Sequence, residues 1–270
     1  TGQDGSSARM TKATCRRAEQ FKKLKAMKKL NFLPTAAALL ALFTIPACDF
    51  DDDGWFGDCE EGQGAEVEIT LDMPEFTGVK LNCDAKVFIT QGDVFEVVAK
   101  GEENIIELLE LDVQDDTWDI EFDDCVRNYD LEIYITMPEI EYLSVSGSGE
   151  IRGDNFFEVE DIVLRISGSG ELCLGLHAET IDAAISGSGE MEIEGTSEQL
   201  DFKISGSGDL HAFDLVTEKA NITISGSGDA SVNVTDVLDV KITGSGNVYY
   251  KGHPTLNVDI TGSGDVVDAN

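Results

Sequence analysis

From residue 140 onward, apolar and polar side chains alternate along short runs, as in Leu200, Phe202, Ile204 and in Leu238, Val240, Ile242, with charged or polar residues between them. A period of two belongs to a strand with one buried face. These runs carry no 3.6-residue stripe, and paired glycines break each at the same place, which excludes helices. The break is a Gly-Ser-Gly tripeptide that starts at Gly147, Gly168, Gly187, Gly206, Gly226, Gly244 and Gly262, with spacings of 21, 19, 19, 20, 18 and 18 residues. Two residues before its first glycine stand Val145, Ile166, Ile185, Ile204, Ile224, Ile242 and Ile260; four residues after it stand Ile151, Leu172, Met191, Leu210, Ala230, Val248 and Val266.

A near-constant period of this length marks a solenoid, because one coil cannot bury its own apolar face whereas stacked coils can. The prediction is an all-β chain folded as a parallel β-helix, with coils about 4.8 Å apart. Gly-Ser-Gly forms the corners, where glycine permits positive φ. Ser148, Ser169, Ser188, Ser207, Ser227, Ser245 and Ser263 are expected to superpose as a ladder whose hydroxyls bond along the axis.

Residues 65–139 show the same alternation less regularly (Val67, Ile69, Leu71; Trp118, Ile120, Phe122; Leu131, Ile133, Ile135) and are read as irregular first coils, with one helical turn near Ile105 to Leu109. The regular repeats then occupy 140–267. A solenoid's last coil exposes unpaired backbone, so end-to-end homo-oligomerisation is expected.

The beginning of the chain is a different kind of polypeptide. Nine of its 19 basic residues lie before Cys48. From Met27, Lys28 and Lys29 precede an apolar run from Leu30 to Ile45, which is signal-peptide architecture over residues 27–47. Residues 1–26 carry no apolar periodicity and are read as an over-extended gene start. Ile45-Pro46-Ala47-Cys48 resembles a lipobox, a resemblance that assigns lipidation to Cys48 and anchors the chain in a membrane. The acidic stretch behind it, within residues 48–64, reads as a solvated tether. The expected location is the cell envelope, as an outer-membrane lipoprotein that faces either the periplasm or the outside; acidic tracts in this position resemble the surface-export signal of some Gram-negative lipoproteins.

With 53 acidic residues against 19 basic ones and a formal net charge of −34, the chain repels nucleic acid and attracts divalent cations or basic partners. If Cys48 is acylated, Cys59, Cys83, Cys125 and Cys173 allow up to two disulfides in three connectivities. Cys59 and Cys125, both in acidic loop-like surroundings, are the preferred pair, and Cys83 shares the parity of Val87 and Ile89 as a buried thiol.

Several ordered segments carry a family resemblance: KVFITQGD (86–93), GEENIIELLELDV (101–113), LEIYITMPEIEYLSVSGSGEI (131–151), the ISGSG repeats and VYYKGHPTLNVDITGSGDV (248–266). Together they resemble the head GIN domain family of auto-transporter adhesins. That resemblance implies a right-handed single-stranded parallel β-helix, an envelope location and adhesion to a glycan or protein ligand.

Chemistry is sparse in the repeats. Directly after the corners come Glu150, Glu171, Glu190, Asp209, Asp229, Asn247 and Asp265, a column of carboxylates that could bind calcium through oxygen. Solvated acids that suppress edge aggregation are the alternative. Parallel β-helices also host polysaccharide lyases and hydrolases, which need a carboxylate with a second carboxylate or a base in a groove. Here Arg152, Arg165, Lys203, Lys219, Lys241 and Lys251 are scattered, and His177, His211 and His253 fall at different points of their repeats. The expected function is a non-catalytic adhesion, binding or scaffolding module without a required cofactor; the alternative is a polysaccharide-acting enzyme.

Overall fold

The structure, a computed structural model, describes residues 59–270; the leader and Cys48 lie outside the described residues. In chain order come β1 (Glu60–Glu61), β2 (Glu66–Thr70), β3 (Gly78–Leu81), β4 (Lys86–Gln91), β5 (Glu96–Glu102) and the short helix α1 (Glu103–Ile106). They are followed by β6 (Val113–Gln114), β7 (Thr117–Ile120), β8 (Val126–Arg127), β9 (Leu131–Met137) and β10 (Tyr142–Gly147). Five long strands then each run through a whole coil: β11 (Glu150–Gly168), β12 (Glu171–Gly187), β13 (Glu190–Gly206), β14 (Asp209–Gly226) and β15 (Ala230–Gly244). Strands β16 (Val248–Lys251), β17 (Thr255–Gly262) and β18 (Val266–Asp268) complete a β-solenoid of about 7 turns.

The coils stack in parallel, and the corner glycines align: Gly147 with Gly168, Gly168 with Gly187, Gly187 with Gly206, and so on to Gly244 with Gly262. Each tripeptide needs both glycines for different reasons. Gly206 has φ +131°, and a Cβ there would lie 2.4 Å from the carbonyl oxygen of Gly187 in the coil below. Gly208 has no such φ, but its Cβ would meet Ile185 Cγ2 at 2.5 Å and Gly189 O at 2.6 Å. The first glycine is therefore demanded by conformation and close backbone approach, the second by close approach to both the apolar column and the backbone of the coil beneath it.

The serine between them acts differently from the expected hydroxyl ladder. Successive corners are joined through backbone: the N–H of Ser169, Ser188, Ser207, Ser227, Ser245 and Ser263 donates to the first glycine's carbonyl one coil back, each at 2.8 Å. The hydroxyls face solvent. The differences in repeat length are absorbed away from this corner, where the register shifts between Arg152 and Phe156, between Glu192 and Gly195, and between Ala212 and Lys219.

Both apolar columns form the core. Val145, Ile166, Ile185, Ile204, Ile224 and Ile242, with Ile151, Leu172, Met191, Leu210, Ala230 and Val248, are buried. Burying each larger aliphatic side chain contributes about 1.5–3 kcal/mol against the entropy of ordering the coil.

The N-terminal portion departs from a simple run of first coils. β3 and β4 make the coil beneath β10 and β11. The chain then leaves, builds β7 and β9 as the coil beneath that one, and returns, so spatial order is permuted relative to sequence. Beyond β9 the direction reverses: β5 pairs antiparallel with β9, and β2 antiparallel with β5. β6 and β7 form an antiparallel hairpin whose turn residues Asp115 and Asp116 have φ 48° and 55°, the sign that a two-residue turn requires at both positions. Trp118, fully buried, packs near Phe76 (centroids 5.7 Å), which meets Phe95 edge-on at 5.0 Å; the indole N–H donates to Glu110 O at 2.8 Å. With buried Ile105 and Ile106 of α1, these side chains close that end of the core.

Candidate functional site

The acidic column lies on the outer face of the strand leg that follows the corner. Register places Glu132, Lys86, Glu150, Glu171, Glu190 and Asp209 in one file across successive coils. The next outward file, two residues on, is Tyr134, Phe88, Arg152, Cys173, Glu192, His211, Ser231 and Tyr249. The apolar residue between the two files points inward, as period-two geometry requires.

The calcium candidates divide into two groups by side-chain length. Up to Asp209, the backbone N–H of the column residue donates to a glycine of the previous coil: Glu171 to Gly149 O at 3.0 Å, Glu190 to Gly170 O and Asp209 to Gly189 O at 3.1 Å. Beyond it, the shorter side chains take over. Asp209 Oδ1 accepts the N–H of Asp229 at 2.9 Å, Asp229 Oδ1 accepts the N–H of Asn247 at 2.8 Å, and Asn247 Oδ1 accepts the N–H of Asp265 at 3.1 Å. An aspartate reaches the next coil's amide where a glutamate would overshoot it. Of the longer acids, Glu150 pairs with Arg152 and Glu190 with His211 Nε2 at 3.0 Å. Among the described residues, no group of three or more His, Cys, Asp and Glu side chains is arranged to hold a metal ion. The column is built as coil-to-coil bonding along part of its length and as a charged surface along the rest.

One cluster stands out electrostatically, and the column reading passed over it. Glu190, Glu192 and His211 share the outer face of β13 and β14. Partial burial pushes Glu192 up to about 7, reinforced by the charges of Glu194, Glu190 and Glu171 and opposed by His211. Its Oε2 is buried without a hydrogen-bond partner. His211 is raised above its ordinary value by its hydrogen bond to Glu190, which outweighs the effect of burial. The sequence signal was the pair Glu190-x-Glu192 beside Asp209-x-His211, which coil stacking turns into neighbours.

The other candidate residues are dispersed. Cys59 and Cys125 are joined in a disulfide that holds the short β1–β8 pair, where Glu60 N donates to Cys125 O at 2.8 Å and Arg127 meets Glu61 at 2.9 Å. Cys83 is a free thiol and only half-buried. It occupies the bend between β3 and β4, where parity no longer assigns a face, and burial pushes its thiol up to about 12. His177 stacks on Phe156 at 5.2 Å and its Nδ1 lies 2.8 Å from Thr196 Oγ1. Arg165 binds Asp182 at 3.0 Å. Neither adds to a common groove with His211.

Solved structures share this architecture. A putative adhesin from Bacteroides fragilis superposes with a TM-score of 0.72 at 23% identity, over 77% of this chain and 99% of that one. A putative lipid binding protein from Parabacteroides distasonis gives 0.68 at 23% identity, over 79% and 100%. A putative adhesin from Parabacteroides merdae gives 0.65 at 20% identity, over 79% and 100%. No curated protein matches the chain. At these identities the likeness is one of fold. The sequence match is specific: the family described as "Putative auto-transporter adhesin, head GIN domain" matches residues 75–254, which span the entry coil, the permuted cap and nearly all the corners, and the chain belongs to that family.

Proposed function

We propose that this chain is a non-catalytic adhesion module: a β-solenoid held at the cell envelope by lipid on Cys48, which presents its acidic outer face to a glycan or protein ligand. The observation that carries the reading is the strict register of that face. Glu171, Glu190 and Asp209 recur once per coil on one side of the rod, beside His211 and the half-buried Glu192. A repeating row of carboxylates suits an extended ligand with repeating basic or hydroxyl-bearing groups, whose many weak contacts add by effective concentration. Family membership supports adhesion as the role, and the lipobox-like residues 45–48 support the anchor.

Binding of the chain to a glycan array and to host-surface proteins, with and without calcium, tests the reading. Glu171→Lys with Glu190→Lys is expected to abolish capture while leaving circular dichroism unchanged, and Cys48→Ser to move the chain from the membrane fraction to the soluble one. Capture that survives both charge reversals, or turnover of an acidic polysaccharide, overturns the proposal.

A further inference from the structure

The two ends of the solenoid are finished differently. At the N-terminal end the stack turns antiparallel, and its outermost strand β2 carries Glu66 and Glu68 on alternate positions, with Lys100 Nζ 3.8 Å from Glu66. Its Val67 and Ile69 are partly buried against the core. Charged, short edge strands of this kind prevent edge-to-edge pairing.

At the other end β17 pairs with β15, and among the described residues no strand pairs with its second edge. All eight of its residues are exposed. Leu256, Val258 and Ile260 stand in register with Leu238, Val240 and Ile242, which are buried, yet they remain 39%, 47% and 39% exposed. They occupy core positions that no coil among the described residues covers.

We propose that this edge is closed by a second copy of the same chain, tail to tail, with β17 paired antiparallel to its counterpart about a two-fold axis through Val258. The axis lies normal to the strand face, so inward residues stay inward and the two cores become continuous. The register follows from the side chains. Centring on Val258 sets Leu256 against Ile260 of the other copy, Thr255 against Thr261, and Asn257 against Asp259. Apolar meets apolar, hydroxyl meets hydroxyl, and an amide meets a carboxylate. Centring one residue later would oppose Asp259 to itself, which like-charge repulsion disfavours. Asn257 already donates one amide hydrogen to Asp239 Oδ1 at 2.7 Å; its second is free in direction to reach Asp259 across the axis. An isologous contact of this kind ends at two copies, because the charged β2 edge at the opposite end does not offer the same strand.

Sedimentation velocity of the full chain over a range of concentration and NaCl tests the proposal. A monomer–dimer equilibrium that tightens with salt is expected, since both copies are strongly acidic. Val258→Lys should weaken it at least about tenfold by placing two ammonium groups at the axis, with unchanged circular dichroism. Asn257→Lys should strengthen it and Asn257→Asp weaken it. Under mild oxidation Val258→Cys should cross-link to a dimer faster than Leu256→Cys, whose partner position is Ile260. A monomer at every concentration and salt, an association indifferent to Val258→Lys, or equal cross-linking at 256 and 258 overturns the assignment.

Discussion

Substituting alanine for Gly206 separates the two demands that the corner makes on its first glycine. An L residue at φ +131° occupies backbone that costs about 1–3 kcal/mol. The added Cβ would lie 2.4 Å from Gly187 O, a backbone atom that cannot rotate away, and such overpacking costs a further ~1–3 kcal/mol. Lower entropy of the unfolded alanine chain returns about 0.4–1 kcal/mol. The expected loss is therefore about 2–5 kcal/mol, a fall of roughly 4–20 °C in Tm for a domain of this size. Gly147 has φ +114° but no heavy atom within 4 Å of its would-be Cβ, since the corner beneath it contains Cys83 in place of a glycine tripeptide. Gly147→Ala should cost the backbone part alone, about 0.5–2.5 kcal/mol after the same entropy return. Ser207→Ala, on an exposed side chain whose structural contribution is its backbone N–H, should stay within about 0.5 kcal/mol. Urea unfolding followed by circular dichroism, with hydrogen exchange to locate any partial opening of the stack, measures all three. A loss under about 1 kcal/mol for Gly206→Ala, or equal losses for Gly206→Ala and Ser207→Ala, would refute the account of the corner.

The remaining predictions concern the cluster and the cap. Because partial burial raises Glu192 from the usual 4.5 to about 7, the native state holds its proton more tightly than the unfolded chain, so the associated stability is full below pH 4.5 and is lost as pH rises through about 7. Glu192→Gln should therefore raise stability by about 1–2 kcal/mol at pH 8, after discounting for solvent screening. It should change little at pH 4; a Tm–pH profile parallel to the parent's would contradict this. The Cys59–Cys125 link spans 66 residues, and chain-entropy reasoning gives it roughly 4 kcal/mol at most. Replacing both cysteines with serine should lower the unfolding free energy by about 2–4 kcal/mol. Amide protection should fall in β1 and β8 while β12 to β14 stay protected, and protection lost equally from β12 to β14 would show that the link supports the whole stack.

The regular coils were legible because their information is local and repeated. Alternation identifies the buried face, the glycines identify the corner, and a constant period forces successive columns into register, so the pattern alone places Val145, Ile166, Ile185 and their successors in a core. The acidic column followed from the same register. What the acids do along that column depended on atoms one coil apart: whether a carboxylate reaches the next amide, as Asp229 does, or pairs with a cation, as Glu150 and Glu190 do. The conjunction of Glu190, Glu192 and His211 likewise exists through stacking.

The cap shows the limit most clearly. Period two tells a strand which face is buried but not which strand it will join, and residues 66–137 have no repeated corner to hold them in sequence order. Tertiary packing therefore placed β7 and β9 below β3 and β4, and turned β5 and β2 antiparallel. Cys83 fell at the bend, where the alternation used to assign its face no longer holds. The amino-acid sequence by itself determined a stack of glycine-cornered coils with a continuous apolar core, because those constraints act between each repeat and its identical neighbour. Only the tertiary structure decided the permuted lid, the titrating cluster and the open edge of β17, because each depends on contacts between segments that resemble nothing else in the chain.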